Sequence, residues 1–437
     1  MDDTDSPEVG CTTHIAARLV EHLSKLGVTF TDYPNLLRLN PNVPWKTRGN
    51  GAVCLRLLVD ESKLGAVKEC VLKEVELYSE FECDNTNPGV VFQAGEVPSA
   101  YRSFSKKVVS SIVKLDEAKK IVEKGGGEAI GFKNKRGLIG ATAAIGGLHD
   151  GDYTFELLTY RHPDKYGTKR MLDENSVWDM DSKSKDTYNN VDHKFKRVLI
   201  APHGPDPVLY GIRGETAEAV RQSGKGVTPL EPVERWVIYR SNQGTDNHLQ
   251  SLLDIDKMQP IQPVKASGII VQEPWTITGG HVFFTLKDNT GTIDCAAYEP
   301  TGEFRDNVRK LIRGDTIIAY GGVRSETDRP TLNLEKLEIK TLADNIQLKN
   351  PSCPKCKGSM ESMGKEKGFR CRHCGYRDGK LLKVPQNIER ELELEFYFPQ
   401  PGAQRHLSKP SVRYGREKHG KYMFPPLDNI WWGIGDL

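Results

Sequence analysis

The chain has 437 residues, room for about three domains at roughly 150 residues each, and with 37% apolar and 27% charged residues it can build cores. Its net charge of +2 points neither toward nor away from nucleic acid, but the charge is uneven: from Asn350 onward 16 Lys/Arg face 10 Asp/Glu, giving +6 and leaving −4 on the rest. No run of about 18 apolar residues occurs, which excludes a transmembrane helix, and the acidic start MDDTDSPEVG is unlike a signal peptide. A cytoplasmic protein with no membrane partner is expected.

Residues 1–135 read as mixed α and β. Ile15, Leu19, Leu23 and Leu26 recur at helical spacing and Gly27 follows as a stop, which predicts a helix over 12–26. AVCLRLLV (52–59) reads as a strand, and SKKVVSSIVKLDEAKKIVEK (105–124) as a single amphipathic helix ended by three glycines. Residues 136–258 repeat this character: GLIGATAAIGGL suits close packing, YTFELLTYR and PVLYGI are strand patterns, and the polar stretch 173–192 reads as loop or insertion. Residues 262–342 alternate short strands with turn signals, and a helix-like piece (304–312) falls after the third of five strands. That is the element order of an OB-fold barrel. On strict alternation only one of Phe283 and Phe284 can face its core; an exposed aromatic there, Tyr298 and Tyr320 included, would be free to stack a base.

The sharpest motif is Cys353-x-x-Cys356, fourteen residues, then Cys371-x-x-Cys374. Two such knuckles complete a closed tetrahedral Zn²⁺ site of a zinc ribbon, structural rather than catalytic, with His373 a surface residue. At the amino terminus Asp2, Asp3 and Asp5 repel one another unless a cation relieves them, and Mg²⁺ carrying nucleotide phosphates is the natural candidate. Gly10-Cys11-Thr12-Thr13 then opens the first helix, where hydroxyls and free N–H groups form a phosphate cradle; a disordered acidic start with a capping Thr remains an alternative. Lys46-Thr-Arg48-Gly49-Asn-Gly51 before a buried strand resembles a phosphate-contacting loop but is not a P-loop, and a plain hairpin turn remains open. From Arg405 to Tyr422 cations and aromatics interleave (Arg405, His406, Lys409, Arg413, then Lys421 and Tyr422), which suits single-stranded or looped RNA. On these motifs the chain fits either an ATP-using RNA enzyme or a non-enzymatic single-stranded nucleic-acid-binding protein built on the OB-fold and zinc ribbon.

Taken in order, DDTDS…GCTT, LLRLNP, KTRGNGAV, NPG, GLIGATAAIG, PVLYGIRGE, an OB-fold and a zinc ribbon resemble the archaeal agmatinylcytidine synthetases of isoleucine tRNA over essentially the whole chain. That resemblance implies an α+β multidomain fold: a kinase-like domain (1–135), a ferredoxin-like domain (136–260), an OB-fold (261–345), and a zinc ribbon with a basic RNA-binding tail (350–437). It implies ATP-dependent conjugation of agmatine to carbon 2 of the wobble cytidine in the CAU anticodon, through phosphorylation of the base, so that the tRNA decodes AUA. ATP would be co-substrate, Mg²⁺ cofactor and Zn²⁺ structural. Asp2, Asp3 and Asp5 would hold Mg²⁺ and phosphates, and Thr12 would match the family's autophosphorylated threonine. Thr13, Lys46, Arg48, Gly49 and Gly51 would contact ATP or phosphate, and Arg405, His406, Lys409 and Arg413 the RNA. Glu215 and Asp206 are candidate carboxylates for the agmatine guanidinium. The family places a strand ahead of the aspartates, so either the start site is set too late or a core strand is missing here.

Overall fold

A computed structural model describes residues 1–324, 330–419, 426–428 and 430–437; Lys421 and Tyr422 lie outside the described residues. Helix Thr12–Lys25 forms as expected, burying Ile15, Leu19, Val20 and Leu23 against helix Leu64–Tyr78 and strand Gly51–Cys54. The stretch 105–124 is not one helix. It divides into Ser99–Ser110 and Leu115–Lys124. Consecutive Ser110-Ser111 and the β-branched Ile112-Val113 break the first helix, and Asp116 and Glu117 favour a restart at a new positive N-terminus. The polar stretch 173–192 is also more ordered than expected: it holds helix Glu174–Lys183, capped by Asp173, and the short strands Thr187–Tyr188 and Val191–Asp192.

A seven-stranded sheet carries both of the first two segments. Its order is Gly51–Cys54, Asn35–Arg38, Val233–Ser241, Thr154–Arg161, Val208–Gly214, Thr187–Tyr188, and Trp432–Ile434 pairs the edge of Val233–Ser241 ahead of Asn35–Arg38. One hydrophobic core runs from Met1 through Tyr239 and takes in Trp431 from late in the chain. Beneath it Arg240 donates to the Asp32 carboxylate, both side chains fully buried. The place of the strand expected ahead of the aspartates is filled by two residues. The Met1 amine donates to the Val53 carbonyl at 2.9 Å and Val53 N–H returns to Met1 at 3.0 Å. Asp2 exchanges both backbone hydrogen bonds with Gly89 on the other side at 3.1 Å. The acidic start is therefore stitched into the fold and is not a loose end.

Residues 263–341 form the barrel. Strands Pro263–Thr276, Val282–Lys287, Thr292–Ala297, Thr316–Arg324 and Thr331–Thr341 build it, and the parallel pairing of Thr292–Ala297 with Thr331–Thr341 closes it; helix Glu303–Val308 follows the third strand. Phe284 fills the core, while Phe283 faces out and stacks on Trp275 at 5.9 Å between centroids.

The zinc ribbon hangs from the barrel on the two-stranded stalk Ile346–Lys349 and Val384–Asn387. Its four Sγ atoms lie within 4.8 Å of one another, with Cys353–Cys374 at 3.6 Å and Cys356–Cys371 at 3.4 Å. Zn–S bonds of about 2.3 Å set tetrahedral sulfurs about 3.8 Å apart, so the residues fit the ion. His373 is exposed, as expected of a non-ligand. The ribbon's own core is only Cys353, Met360, Phe369 and Cys371, too little to hold it without metal.

Beyond the ribbon the chain turns back. Phe396–Tyr397 joins the barrel sheet beside Leu337 and Glu338, and residues 399–419 run as a strap over the catalytic-side sheet. Arg413 is wholly buried there. It donates to Glu215, Asp152 and the Gly244 carbonyl, which occupies all three of its nitrogens and removes it from any RNA. Lys409 is occupied by Glu417 at 2.8 Å. The RNA-contact reading of Arg413 is therefore corrected: its basic character serves a buried ion-pair cluster.

Two outcomes follow. Chelation should release one zinc per chain and make residues 350–392 the first site of limited proteolysis, with the far-UV dichroism of the rest retained. Arg413→Ala, which strands Glu215 and Asp152 without their guanidinium, should cost about 3–5 kcal/mol in denaturant unfolding.

Candidate functional site

A cavity of about 730 Å³ gathers residues that are distant in sequence. Asp2, Asp3, Asp5, Thr12, Thr13, Lys46, Arg48, Gly49 and Gly51 all line it, joined by Arg405 and His406 from the strap. Lys409 and Arg413 do not. One wall is the N-terminus of helix Thr12–Lys25. Cys11 caps it without a side-chain hydrogen bond and no acid occupies its first turn, so first-turn N–H groups and the helix dipole face the cavity as an anion site. The Thr12 hydroxyl lies 2.9 Å from that of Thr4, and the Thr13 carbonyl accepts from Tyr239 at 2.6 Å, which fixes this turn from below.

Each carboxylate has its own relief. Asp3 is gripped by Arg136 through two hydrogen bonds of 2.9 Å, with Asp3 in the left-handed region at φ 62°. Asp5 pairs with Arg48 at 3.1 Å. Asp2 is relieved differently: burial, and then the charge of Asp3, push its carboxyl up to about 7, so that near neutral pH it is only partly ionised. Its room comes from Gly140. A Cβ there would sit 1.9 Å from Asp2 Oδ2, and one at Gly89 would sit 2.2 Å from Leu138 N. These approaches explain the NPG and GLIGATAAIG motifs, whose helix Leu138–Gly146 is buried nearly all round. The three carboxylates do not converge on one point. Among the described residues, the four cysteines are the only group of three or more His, Cys, Asp or Glu placed to hold a metal.

The opposite wall is cationic. Arg48 donates to the Ser6 and Gly10 carbonyls and so clamps the loop between aspartates and helix; Lys46 donates to the Pro41 carbonyl at 2.6 Å, its ammonium pK lowered by burial and by Arg405. Gly49 leaves space for Arg38, whose NH1 would lie 2.6 Å from a Cβ at that position. Arg38 and Arg213 both reach the buried Glu156, at 3.3 Å each. Arg213 donates to His406 Nδ1 at 3.2 Å, which leaves the proton on Nε2. The charge of Arg38, then burial, holds His406 neutral, well below the usual imidazole range. Arg136 and Glu156 stand in no local pattern that announces a site, and Gly140 and Arg213 lie in the GLIGATAAIG and PVLYGIRGE motifs without being singled out by them.

Comparison with known proteins now bears on this geometry. Models of the TiaS TCKD domain, the TiaS FLD domain, an OB-fold nucleic acid binding domain and the TiaS C-terminal zinc ribbon domain match residues 1–134, 135–248, 264–340 and 350–392. The chain is 43% identical over 413 residues to the isoleucine-tRNA 2-agmatinylcytidine synthetase TiaS of Pyrococcus horikoshii, covering 94% of this chain and 96% of that one. The chain belongs to the TiaS family. The TiaS of Methanocaldococcus jannaschii is 42% identical, with 94% and 97% covered. A crystal structure of TiaS in complex with isoleucine tRNA and ATP superposes with a TM-score of 0.84 at 38% identity over 94% of this chain and 96% of that one. A complex of TiaS with isoleucine tRNA, AMPCPP and agmatine gives 0.82 at 36%, covering 97% and 98%. The TiaS fold accounts for the multidomain α+β architecture with its barrel and ribbon. No helix among the described residues is long and apolar enough to cross a membrane.

The Asp2 carboxyl makes stability pH-dependent. A folded pK raised above the unfolded carboxylate value costs the native state stability as pH rises from that unfolded value to about 7. Denaturant midpoints should therefore show wild type losing ground to Asp2→Asn as pH rises from about 4 to about 7, and no further change above that. Gly140→Ala should destabilise by roughly 1–3 kcal/mol through the overlap with Asp2.

Proposed function

We infer that this protein is an ATP-dependent ligase that joins agmatine to carbon 2 of the wobble cytidine of isoleucine tRNA with a CAU anticodon. The observation that carries the reading is the single cavity in which the helix N-terminus at Thr12, the aspartates and a cationic wall face one another, in a chain so similar to TiaS proteins solved with isoleucine tRNA, ATP and agmatine. The carbon-2 oxygen of cytosine is a poor leaving group. Transfer of a phosphoryl group to it gives a phosphate ester, agmatine's primary amine adds at carbon 2, and the oxygen departs with the phosphate. Lys46, Arg38 and the N–H groups at Thr12 and Thr13 neutralise charge on the transferring phosphoryl group.

In this reading Thr12 receives a phosphoryl group on its hydroxyl, and Gly49 and Gly51 let backbone approach the nucleotide. Asp2, Asp3 and Asp5 would hold a Mg²⁺ carried on the ATP phosphates, through one or two of their carboxylates, and the ion would supply neutralisation of phosphate charge. Arg405 and His406 present polar groups to the anticodon loop from the strap. For the guanidinium of agmatine, Asp206 lines the cavity, though it also pairs with Arg170 at 3.3 Å, and Glu215 is taken by Arg413 and Lys418. A protein that works on tRNA is placed in the cytoplasm.

Mass spectrometry of the wobble nucleoside after incubation with tRNA, ATP and agmatine tests the reading directly; unmodified cytidine with fully loaded protein would sink it. Thr12→Ala should abolish the modification. Asp3→Asn should abolish turnover with RNA affinity intact, whereas a purely nucleic-acid-binding protein would bind RNA regardless of ATP and tolerate both changes.

A further inference from the structure

The loop 41–50 carries Trp45, 41% exposed, into the lining of the same cavity, which Ile112, 45% exposed, also joins. Large apolar side chains left open beside a cavity mark a surface that binds something. The loop is braced. The Trp45 carbonyl accepts from Asn85 at 2.8 Å, the Pro41 carbonyl from Lys46 at 2.6 Å and from Arg405 at 3.0 Å, and Asn50 donates to the Asn40 carbonyl at 2.7 Å. The nearby Lys46 and Arg48 put cations on the same lining, which Arg405 joins from the strap.

We infer that Trp45 is the stacking platform for an unstacked base of the anticodon loop, a positioning residue for the ligation. The inference rests on the function proposed above and names a residue which that reading leaves unassigned. An indole offers every base a π-face without reading its edges, and the flanking cations meet the phosphates on either side. A base pulled out of its stack loses its neighbours; Trp45 returns one of them at the point where the RNA enters the cavity. The occupant is a nucleobase and not an apolar protein segment, because Lys46, Arg48 and Arg405 share the lining with the exposed indole.

Full-length protein is assayed with Trp45→Ala and Trp45→Phe. Trp45→Ala should lower single-turnover modification about 10- to 100-fold, and Trp45→Phe should keep it within about 3-fold, with ATP affinity unchanged in both. With 2-aminopurine at the wobble position and at each neighbour in turn, one position should be quenched on wild type and bright on Trp45→Ala. Wild-type rates in Trp45→Ala, Trp45→Phe as impaired as Trp45→Ala, loss of ATP binding, or no responding position each overturn the platform. Failure of wild type to modify tRNA overturns the functional reading, and the platform with it.

Discussion

Three carboxylates within four residues cannot be packed into one fold unless each is separately neutralised, and this constraint organises the catalytic half of the molecule. Asp3 requires Arg136, Asp5 requires Arg48, and Asp2, its carboxyl raised to about 7, lies against the bare Cα of Gly140. Each partner comes from a different element. Arg136 and Gly140 bring the helix Leu138–Gly146, Arg48 brings the glycine loop, and the backbone of Met1 and Asp2 ties Val53 to Gly89. Moving any one of them shifts the turn that presents Thr12.

The barrel is locked to this arrangement by a second set of buried charges. Glu335 and Lys336 are neighbours on strand Thr331–Thr341, and both bond to segments outside the barrel. Glu335 accepts from Ser408 at 2.7 Å and meets His248 at 2.8 Å, and its carboxyl is lowered to about 2 despite burial by the charges of His248 and Arg405. Lys336 reaches Asp246 and the Tyr414 hydroxyl. The strap that carries Arg405 and His406 into the cavity is thus pinned to the barrel at residues 405–414, and the orientation of one follows the other.

Much of this is legible in the residues alone. The CxxC pairs, the five-strand barrel with its helix, and the helix behind Gly-Cys-Thr-Thr are local patterns, each complete within a short window, and all three form where the residues place them. What is not legible is what depends on distance. Arg413 looks like a nucleic-acid contact because only its sequence neighbours are visible, and Glu215 and Asp152 lie 198 and 261 positions away. Arg136 has no signal at all until Asp3 is beside it. The helix break at Ser111 is hidden because the apolar period continues across it, and the ordered 173–192 stretch because polar composition masks short elements packed on a sheet edge.

The sheet that holds the site takes strands from residues 35–54, 154–241 and 432–434, so it is assembled from early, middle and late parts of the chain. During synthesis the barrel and ribbon emerge before Trp432–Ile434 can join. The edge of strand Val233–Ser241 and the core beneath Trp431 therefore stay open until residues 431–434 have left the ribosome. Translation order thereby sets the catalytic half to finish folding after the RNA-gripping modules already exist.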